Sequence, residues 1–212
     1  SETFDHFNQI SIPVEYTGYI APKPAADAGK MIRQKLKIGE EENLIIASAG
    51  GGNVGAPILK AVVRAFSRLA EKNRCQLKVF TGPFLDQSEF DRLKRCAGRN
   101  VQVTRFARDF LSYLAAADLS VSMGGYNTTM NILASGAPAL VWPFGQNREQ
   151  RLRAGRLASL GVLQVLENED LDPDRLAAIM NDWMSRSTRP AVNINLNGAA
   201  NTARWIENRI KI

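Results

Sequence analysis

Short apolar runs alternate with longer segments of helical periodicity along most of the chain. The apolar runs are rich in Val, Leu and Ile and predict six strands, at 44–49, 76–80, 101–104, 119–122, 139–142 and 162–166. Apolar positions spaced i, i+3 and i+4 predict helices between and after them, at 56–72, 86–97, 109–117, 127–135, 148–160, 173–186 and 199–209. The strands hardly alternate between apolar and polar residues, which is typical of strands buried on both faces.

Alternation of strands and helices predicts an α/β fold. We expect a Rossmann-like, doubly wound parallel sheet of about six strands, with right-handed crossovers and helices on both faces. In such sheets, ligands bind outside the carboxyl ends of the strands. The segments that follow the strands are therefore the strongest candidates for a ligand-binding site.

Two predicted strands run directly into glycine. The strand at 44–49 is followed by GGGNVG at 50–55. The strand at 119–122 is followed, after Met123, by GGYNTT at 124–129. Each loop leads into a helix, whose first N–H groups have no partner within the helix. Glycine also lets the backbone approach a ligand closely. Both loops fit a phosphate site, although glycines that only form tight turns would give the same pattern.

Two better-known glycine motifs fit less well. The stretch 50–55 matches G-x-G-x-x-G, but the next strand ends in Thr81-Gly82-Pro83, without the carboxylate that would hold the ribose of a dinucleotide. Gly55 is followed by Ala-Pro rather than by Lys-Ser or Lys-Thr, so the stretch is not a P-loop. We therefore set both interpretations aside.

Composition narrows the class of protein. With 212 residues, 45% of them hydrophobic, the chain can form one domain with a large core. No apolar run approaches the ~18 residues of a membrane span, and no secretory signal is visible. Two cysteines and a single histidine, His6, argue against a disulfide framework, a histidine-based metal site and a Ser-His-Asp triad within this chain. We expect reduced thiols and a cytoplasmic location.

The net charge of +6 is spread over the helices, with the densest group at Arg148, Arg151, Arg153 and Arg156. A solvated helix face is the simplest interpretation of this group. The alternative is attraction to an anion, either a nucleotide phosphate or an acidic membrane surface. Nucleic acid is a poorer hypothesis, because no aromatic residues interleave with the basic ones.

Four motifs resemble those of known glycosyltransferases. GGNVGA at 51–56 resembles the GGSQGA loop of the peptidoglycan N-acetylglucosaminyltransferases of glycosyltransferase family 28. MGGYNTT at 123–129, with GAP at 136–138 and Pro143, resembles the HCGWNST core and the following G-x-P…P of the plant UDP-glycosyltransferase signature. EQRLRAGRL at 149–157 resembles D-Q-x-x-N-A-x-x-L, and FARD at 106–109 stands where these enzymes place a base-contacting loop. The resemblance covers roughly 44–166.

The resemblance implies a domain organisation. These enzymes have the two-domain GT-B fold, in which the C-terminal domain holds the nucleotide-sugar donor and the N-terminal domain the acceptor. Residues 1–22 would be the hinge segment from an N-terminal domain, 23–190 the nucleotide-sugar-binding domain, and 191–212 a tail and helix that pack back toward the N-terminal domain. Because the sequence starts at Ser1 without Met, we expect an excised or processed fragment.

The same resemblance implies a role for individual residues. Main-chain groups around Gly124 and the start of the following helix would hold the diphosphate, and the main chain of Ala107 would read the base. The complete set implied to bind the nucleotide is Gly51, Gly52, Asn53, Ala107, Met123, Gly124, Gly125, Tyr126, Asn127, Thr128 and Asn131. Glu149 and Gln150 would bind the donor sugar. No metal or other cofactor is implied, and the catalytic base would lie in the N-terminal domain.

The chain departs from the resembled pattern at three positions. Met123 replaces a histidine that contacts phosphate, Asn131 replaces a carboxylate that holds the ribose, and Arg153 replaces an asparagine. The implied function is transfer of a hexosyl or N-acetylhexosaminyl group from a UDP-sugar to an unidentified acceptor. The alternatives are a non-catalytic nucleotide-sugar-binding or scaffolding subunit, and a UDP-sugar 2-epimerase.

Overall fold

The central element is a six-stranded parallel sheet. The computed structural model describes residues 6–51, 54–186 and 194–210. The strands are β1 (Asn43–Ser48), β2 (Cys75–Phe80), β3 (Val101–Thr104), β4 (Leu119–Met123), β5 (Ala139–Trp142) and β6 (Gln164–Val165). Their order is β3-β2-β1-β4-β5-β6, and every neighbouring pair is parallel. The predicted Rossmann-like fold is confirmed, and β6 alone is much shorter than predicted.

The described residues form eight α-helices. They are α1 (Ala28–Leu36), α2 (Ala56–Ala70), α3 (Gln87–Cys96), α4 (Phe110–Ala116), α5 (Tyr126–Ser135), α6 (Arg148–Ser159), α7 (Pro173–Met184) and α8 (Gly198–Ile210). Two 3₁₀ turns, Phe7–Gln9 and Asn168–Leu171, complete the pattern. Seven of these helices were predicted; α1 was missed, since it buries only Ala28 and Ile32.

Both faces of the sheet are covered. Ile45 and Ala47 of β1 belong to one hydrophobic core with α2 and α7. Leu44 and Ile46, which alternate with them, are equally buried but lie outside that core. Because successive strand residues point to opposite faces, β1 is buried on both sides, as its unbroken apolar sequence predicted.

The chain divides into two compact units. The larger unit is Pro22–Val192, and the smaller one combines Ser1–Ala21 with Asn193–Ile212. In the smaller unit, Asn201 at the start of α8 donates a side-chain hydrogen bond of 2.8 Å to the carbonyl of Thr17. A β-bridge joins Ile20 to Asn197.

None of the described helices has both the length and the apolar character needed to cross a bilayer.

Candidate functional site

The sheet has a topological switch point between β1 and β4. These two strands are neighbours in the middle of the sheet. The chain leaves β1 through α2 toward β2 on one side, and leaves β4 through α5 toward β5 on the other. A crevice opens at the carboxyl edge of a sheet where the connections diverge in this way, and ligands of doubly wound domains bind there. Both glycine loops start at this edge.

The loop after β1 is packed tightly against its surroundings. Gly50 and Gly82 have φ angles of +69° and +78°, which residues other than glycine rarely adopt. A Cβ on Gly82 would lie 2.1 Å from the carbonyl oxygen of Gly50. The loops after β1 and β2 therefore touch backbone to backbone. Gly51 has open space where a side chain would project, and the predicted residues Gly52 and Asn53 lie outside the described residues.

The loop after β4 leads directly into α5. Gly125 is the N-cap residue of this helix and has no side chain to cap it. The N–H groups of Gly125 and Tyr126 thus belong to the helix end whose donors have no partner within the helix. The N–H of Gly124, by contrast, donates to the carbonyl of Trp142 at 3.3 Å, so this predicted phosphate donor is engaged in the sheet. Met123 is buried at the end of β4.

A cleft of about 670 Å³ lies outside the carboxyl ends of the central strands. It brings together five of the predicted residues, from two loops and the helix α5: Gly51, Ala107, Asn127, Thr128 and Asn131. The Thr128 hydroxyl lies 3.7 Å from the position of a Cβ on Gly50, which shows how closely α5 approaches the first loop. The predicted loops thus converge on one cavity.

The predicted sugar-binding residues lie beside this cleft rather than in its lining. The side-chain oxygen of Gln150 accepts a hydrogen bond of 3.1 Å from the N–H of Phe144. Glu149 forms an ion pair with Arg153, one turn further along α6. The acceptor oxygen predicted for sugar binding at Gln150 is therefore already engaged within the protein.

Several cleft residues were not predicted. Lys23, Arg105 and Arg108 bring positive charge to the lining. The carboxylate of Asp109 also lines the cleft, but it lies 3.6 Å from the ammonium group of Lys35. Proximity to Tyr113, and then to Asp109, raises the pKa of Lys35. Arg108 lies within the FARD segment at 106–109 and Arg105 directly precedes it, whereas nothing in the sequence pointed to Lys23.

An exposed aromatic ring stands at the rim of the cleft. Phe106 lines it with 69% of its surface accessible to solvent. Ser48 lines it from the end of β1, and its buried hydroxyl has no hydrogen-bond partner among the described residues. A flat apolar surface and an unpartnered hydroxyl in one cavity are suited to a ligand with a ring and polar edges.

The arginine group of α6 does not form one surface. Arg151 makes two hydrogen bonds, of 3.1 and 2.9 Å, to the carboxylate of Glu167. Arg153 is buried and donates to the carbonyl of Gly124 at 2.9 Å. The group is therefore neither a uniformly solvated face nor a continuous basic patch.

Within 6–51, 54–186 and 194–210, no group of His, Cys, Asp and Glu is arranged to hold a metal ion.

The fold and the glycine-lined cavity define a doubly wound α/β domain with a cleft at its switch point. The family model described as glycosyltransferase family 28 C-terminal domain matches residues 47–210. The chain belongs to this family, as the four motifs of the sequence indicated.

Two curated relatives share about 30% of their aligned residues with this chain. A UDP-N-acetylglucosamine–N-acetylmuramyl-(pentapeptide) pyrophosphoryl-undecaprenol N-acetylglucosamine transferase of Sinorhizobium fredii is 28% identical over 172 residues, which are 76% of this chain and 45% of the relative. The transferase of the same name from Rhizobium meliloti is 31% identical over 143 residues, 64% of this chain and 37% of the relative. The chain thus spans less than half the length of these relatives.

Solved structures share the fold at lower identity. MurG of Acinetobacter baumannii superposes with a TM-score of 0.66 and 18% identity, covering 82% of this chain and 52% of MurG. The calicheamicin glycosyltransferase CalG4 gives a TM-score of 0.62 and 18% identity, covering 94% of this chain and 46% of CalG4. The likeness of the chain to one half of a GT-B glycosyltransferase is thereby confirmed.

Proposed function

We propose that this chain is the donor-binding half of a glycosyltransferase that moves a hexosyl or N-acetylhexosaminyl group from a UDP-sugar to an unidentified acceptor. The observation that carries the proposal is the convergence of Gly51, Ala107, Asn127, Thr128 and Asn131 on one cleft at the switch point. The names of the relatives, which specify UDP-N-acetylglucosamine as their donor, favour an N-acetylhexosaminyl group.

The diphosphate would bind at the start of α5. The N–H groups of Gly125 and Tyr126 and the side chains of Asn127 and Thr128 would donate to it, with the helix dipole favouring the negative charge. Gly51, which lines the cleft after β1, would face it from the other glycine loop. The cations of the lining, Lys23, Arg105 and Arg108, add positive potential to a partly enclosed cleft.

The base would lie against the segment 105–109, with the main chain of Ala107 at its edge. The exposed ring of Phe106 offers an apolar surface on the same segment. The donor sugar would extend toward α6. There, the amide group of Gln150 would donate to a sugar hydroxyl, since its oxygen is already bound to Phe144.

Catalysis in this half would be electrostatic. Negative charge grows on the leaving UDP as the glycosidic bond breaks, and donors already oriented toward the phosphates stabilise it without covalent chemistry. An N-terminal domain of the same protein would bind the acceptor and supply the catalytic base. We therefore expect no sugar transfer by residues 1–212 alone. We propose no metal and no other cofactor, and a cytoplasmic location, with contact to an acidic membrane surface as a further hypothesis.

A non-catalytic nucleotide-sugar-binding or scaffolding subunit is the second candidate. It is favoured by Met123 and Asn131, where the resembled enzymes have a histidine and a carboxylate. Met123 also argues against a UDP-sugar 2-epimerase, because the β4 loop offers no histidine.

Titration calorimetry tests the nucleotide class. We expect UDP to bind the purified chain and NAD to bind far more weakly, because the strand β2 ends without a carboxylate that could hold the adenosine ribose. UMP and ADP serve as controls for the second phosphate and for the base. Tight NAD binding without UDP binding would reject the proposal.

A second prediction concerns Asn131, in the second turn of α5. It lies four residues after Asn127, so both side chains face the cleft. A carboxylate in its place would accept stronger hydrogen bonds from the ribose hydroxyls than the amide oxygen does. We expect Asn131→Glu to bind UDP more tightly by about 1 kcal/mol, roughly fivefold in affinity.

Asn131→Ala is the matched control and should weaken UDP binding. Repulsion between a new carboxylate and the diphosphate would oppose the gain, so both variants are titrated at one salt concentration. If Asn131→Glu binds UDP no better than the wild type, or if Asn131→Ala leaves UDP binding unchanged, this residue does not face the ribose.

A further inference from the structure

A buried guanidinium lies beneath the loop that follows β4. Arg153 projects from α6 with only 8% of its side chain exposed. One terminal nitrogen donates to the carbonyl of Gly124 at 2.9 Å, and the other is bound to Glu149. The centre of the guanidinium lies 5.4 Å from the middle of the Tyr126 ring. Its Nε is buried without a hydrogen-bond partner among the described residues.

We propose that Arg153 is a positioning residue that fixes and polarises the Gly124–Gly125 peptide for a diphosphate. This inference rests on the proposed function. The peptide groups of the described residues are trans, so the C=O of Gly124 and the N–H of Gly125 point in opposite directions. Because Arg153 holds the carbonyl on the α6 side, the N–H of Gly125 is directed away from α6.

The hydrogen bond also changes the strength of that donor. A cation bound to a peptide oxygen draws electron density from the peptide and makes its N–H a better donor. Gly125 is the N-cap of α5, so the strengthened N–H joins the unpaired donors of the first helical turn. Glycine at 124 and 125 contributes no side chain to the loop, and Arg153 is the side chain that binds the Gly124 carbonyl.

The charge of Arg153 also acts at the Gly124–Gly125 peptide, where the diphosphate would bind. Its main counterion, Glu149, has 61% of its side chain in solvent, so water screens the carboxylate far more than the buried guanidinium. A cation held in such surroundings attracts a diphosphate more strongly than a solvated one does. Met123, at the end of β4, is uncharged, whereas Arg153 places a positive charge against the carbonyl of Gly124.

Arg151 provides a matched control. It lies two residues away on α6 and carries the same charge, but 55% of its side chain is exposed and it pairs with Glu167 instead of the loop. Arg151→Gln removes the same charge and the same kind of ion pair without touching Gly124. A general effect of net charge on UDP binding would appear equally in both variants.

The experiment compares UDP with uridine, which lacks phosphate, in the wild type, Arg153→Gln, Arg153→Lys and Arg151→Gln. We expect Arg153→Gln to lose about tenfold in affinity for UDP, the scale of one charged hydrogen bond, and less than about twofold for uridine. Arg153→Lys keeps the cation and should recover to within about threefold of the wild type. Arg151→Gln should stay within about twofold for both ligands.

A purely structural arginine gives a different result. Equal losses for UDP and uridine, or equal losses in Arg153→Gln and Arg153→Lys, would overturn the proposal, as would unchanged UDP binding in Arg153→Gln. If the wild type binds no UDP at all, the proposed function fails instead. Circular dichroism of each variant checks that it is folded.

Glu149→Gln keeps the proposal testable even if a change at the buried Arg153 prevents folding. Glu149 is exposed, so its replacement by an isosteric amide leaves the fold intact. Removing its charge leaves the guanidinium unopposed, and we expect UDP affinity to rise about two- to threefold. Unchanged or weakened UDP binding in this variant would contradict the electrostatic role of Arg153.

Discussion

Gly82→Ala is expected to destabilise the protein by at least about 3 kcal/mol. Gly82 has a φ of +78°, and alanine in this region costs about 1–2 kcal/mol on its own. The larger contribution comes from contact, because the new Cβ would lie 2.1 Å from the carbonyl oxygen of Gly50. Neither partner of this contact is a side chain that could rotate away, so one of the two loops must move.

Gly136→Ala separates the two contributions. Gly136 ends α5 with a φ of +66°, close to that of Gly82, but nothing lies within 4 Å of the position of its Cβ. We expect a loss of about 1–2 kcal/mol there, from backbone strain alone. Urea denaturation of both variants measures the difference directly. Similar losses at the two glycines would show that the loops after β1 and β2 do not touch at Gly50 and Gly82.

The contact at Gly82 also bears on the cleft. Gly50, Gly51 and Gly82 all line it, and moving one loop away from the other changes the surface offered to a ligand. Gly82→Ala should therefore weaken UDP binding even at temperatures where the variant is fully folded. Gly136→Ala, at the far end of α5, should leave UDP binding unchanged when measured under the same conditions.

The sheet and its edge could be predicted from sequence because both depend on local patterns. Strands buried on both faces leave unbroken apolar runs, as in β5, which has the predicted bounds. Glycine loops after β1 and β4 are equally visible, and the α/β topology alone requires that they meet at one edge. That Asn127 and Asn131 share the face of α5 that lines the cleft follows from helical spacing.

Other features depend on contacts between distant segments, which a single sequence does not display. Helix α1 buries only Ala28 and Ile32 and packs beside α4, so its apolar pattern is weak. Lys23 reaches the cleft through the folding of a segment far from the glycine loops. In the sequence, Arg153 is one of four closely spaced arginines, and its burial and its hydrogen bond with Gly124, 29 residues away, distinguish it.

The second large effect is expected at Gly55, just before α2. Its φ is −85°, which alanine adopts without strain, so Gly55→Ala would normally be harmless or slightly stabilising. Here, however, the new Cβ would lie 2.2 Å from the Cβ of Ala49. We expect a loss of about 3 kcal/mol in the free energy of unfolding, because β1 and α2 must separate to admit the methyl group.

A second substitution tests this cause. Ala49→Gly removes the opposing methyl group and should by itself cost about 1 kcal/mol, as expected for glycine in a strand end. In the double variant the two losses should not add: Gly55→Ala with Ala49→Gly should be more stable than Gly55→Ala alone, with a coupling energy of about 2 kcal/mol. Rescue would be incomplete, since Ala49 Cα and Met123 Sδ lie 3.0 and 3.1 Å from the added carbon. Strict additivity in urea denaturation would mean that Gly55 is required for another reason than its contact with the end of β1.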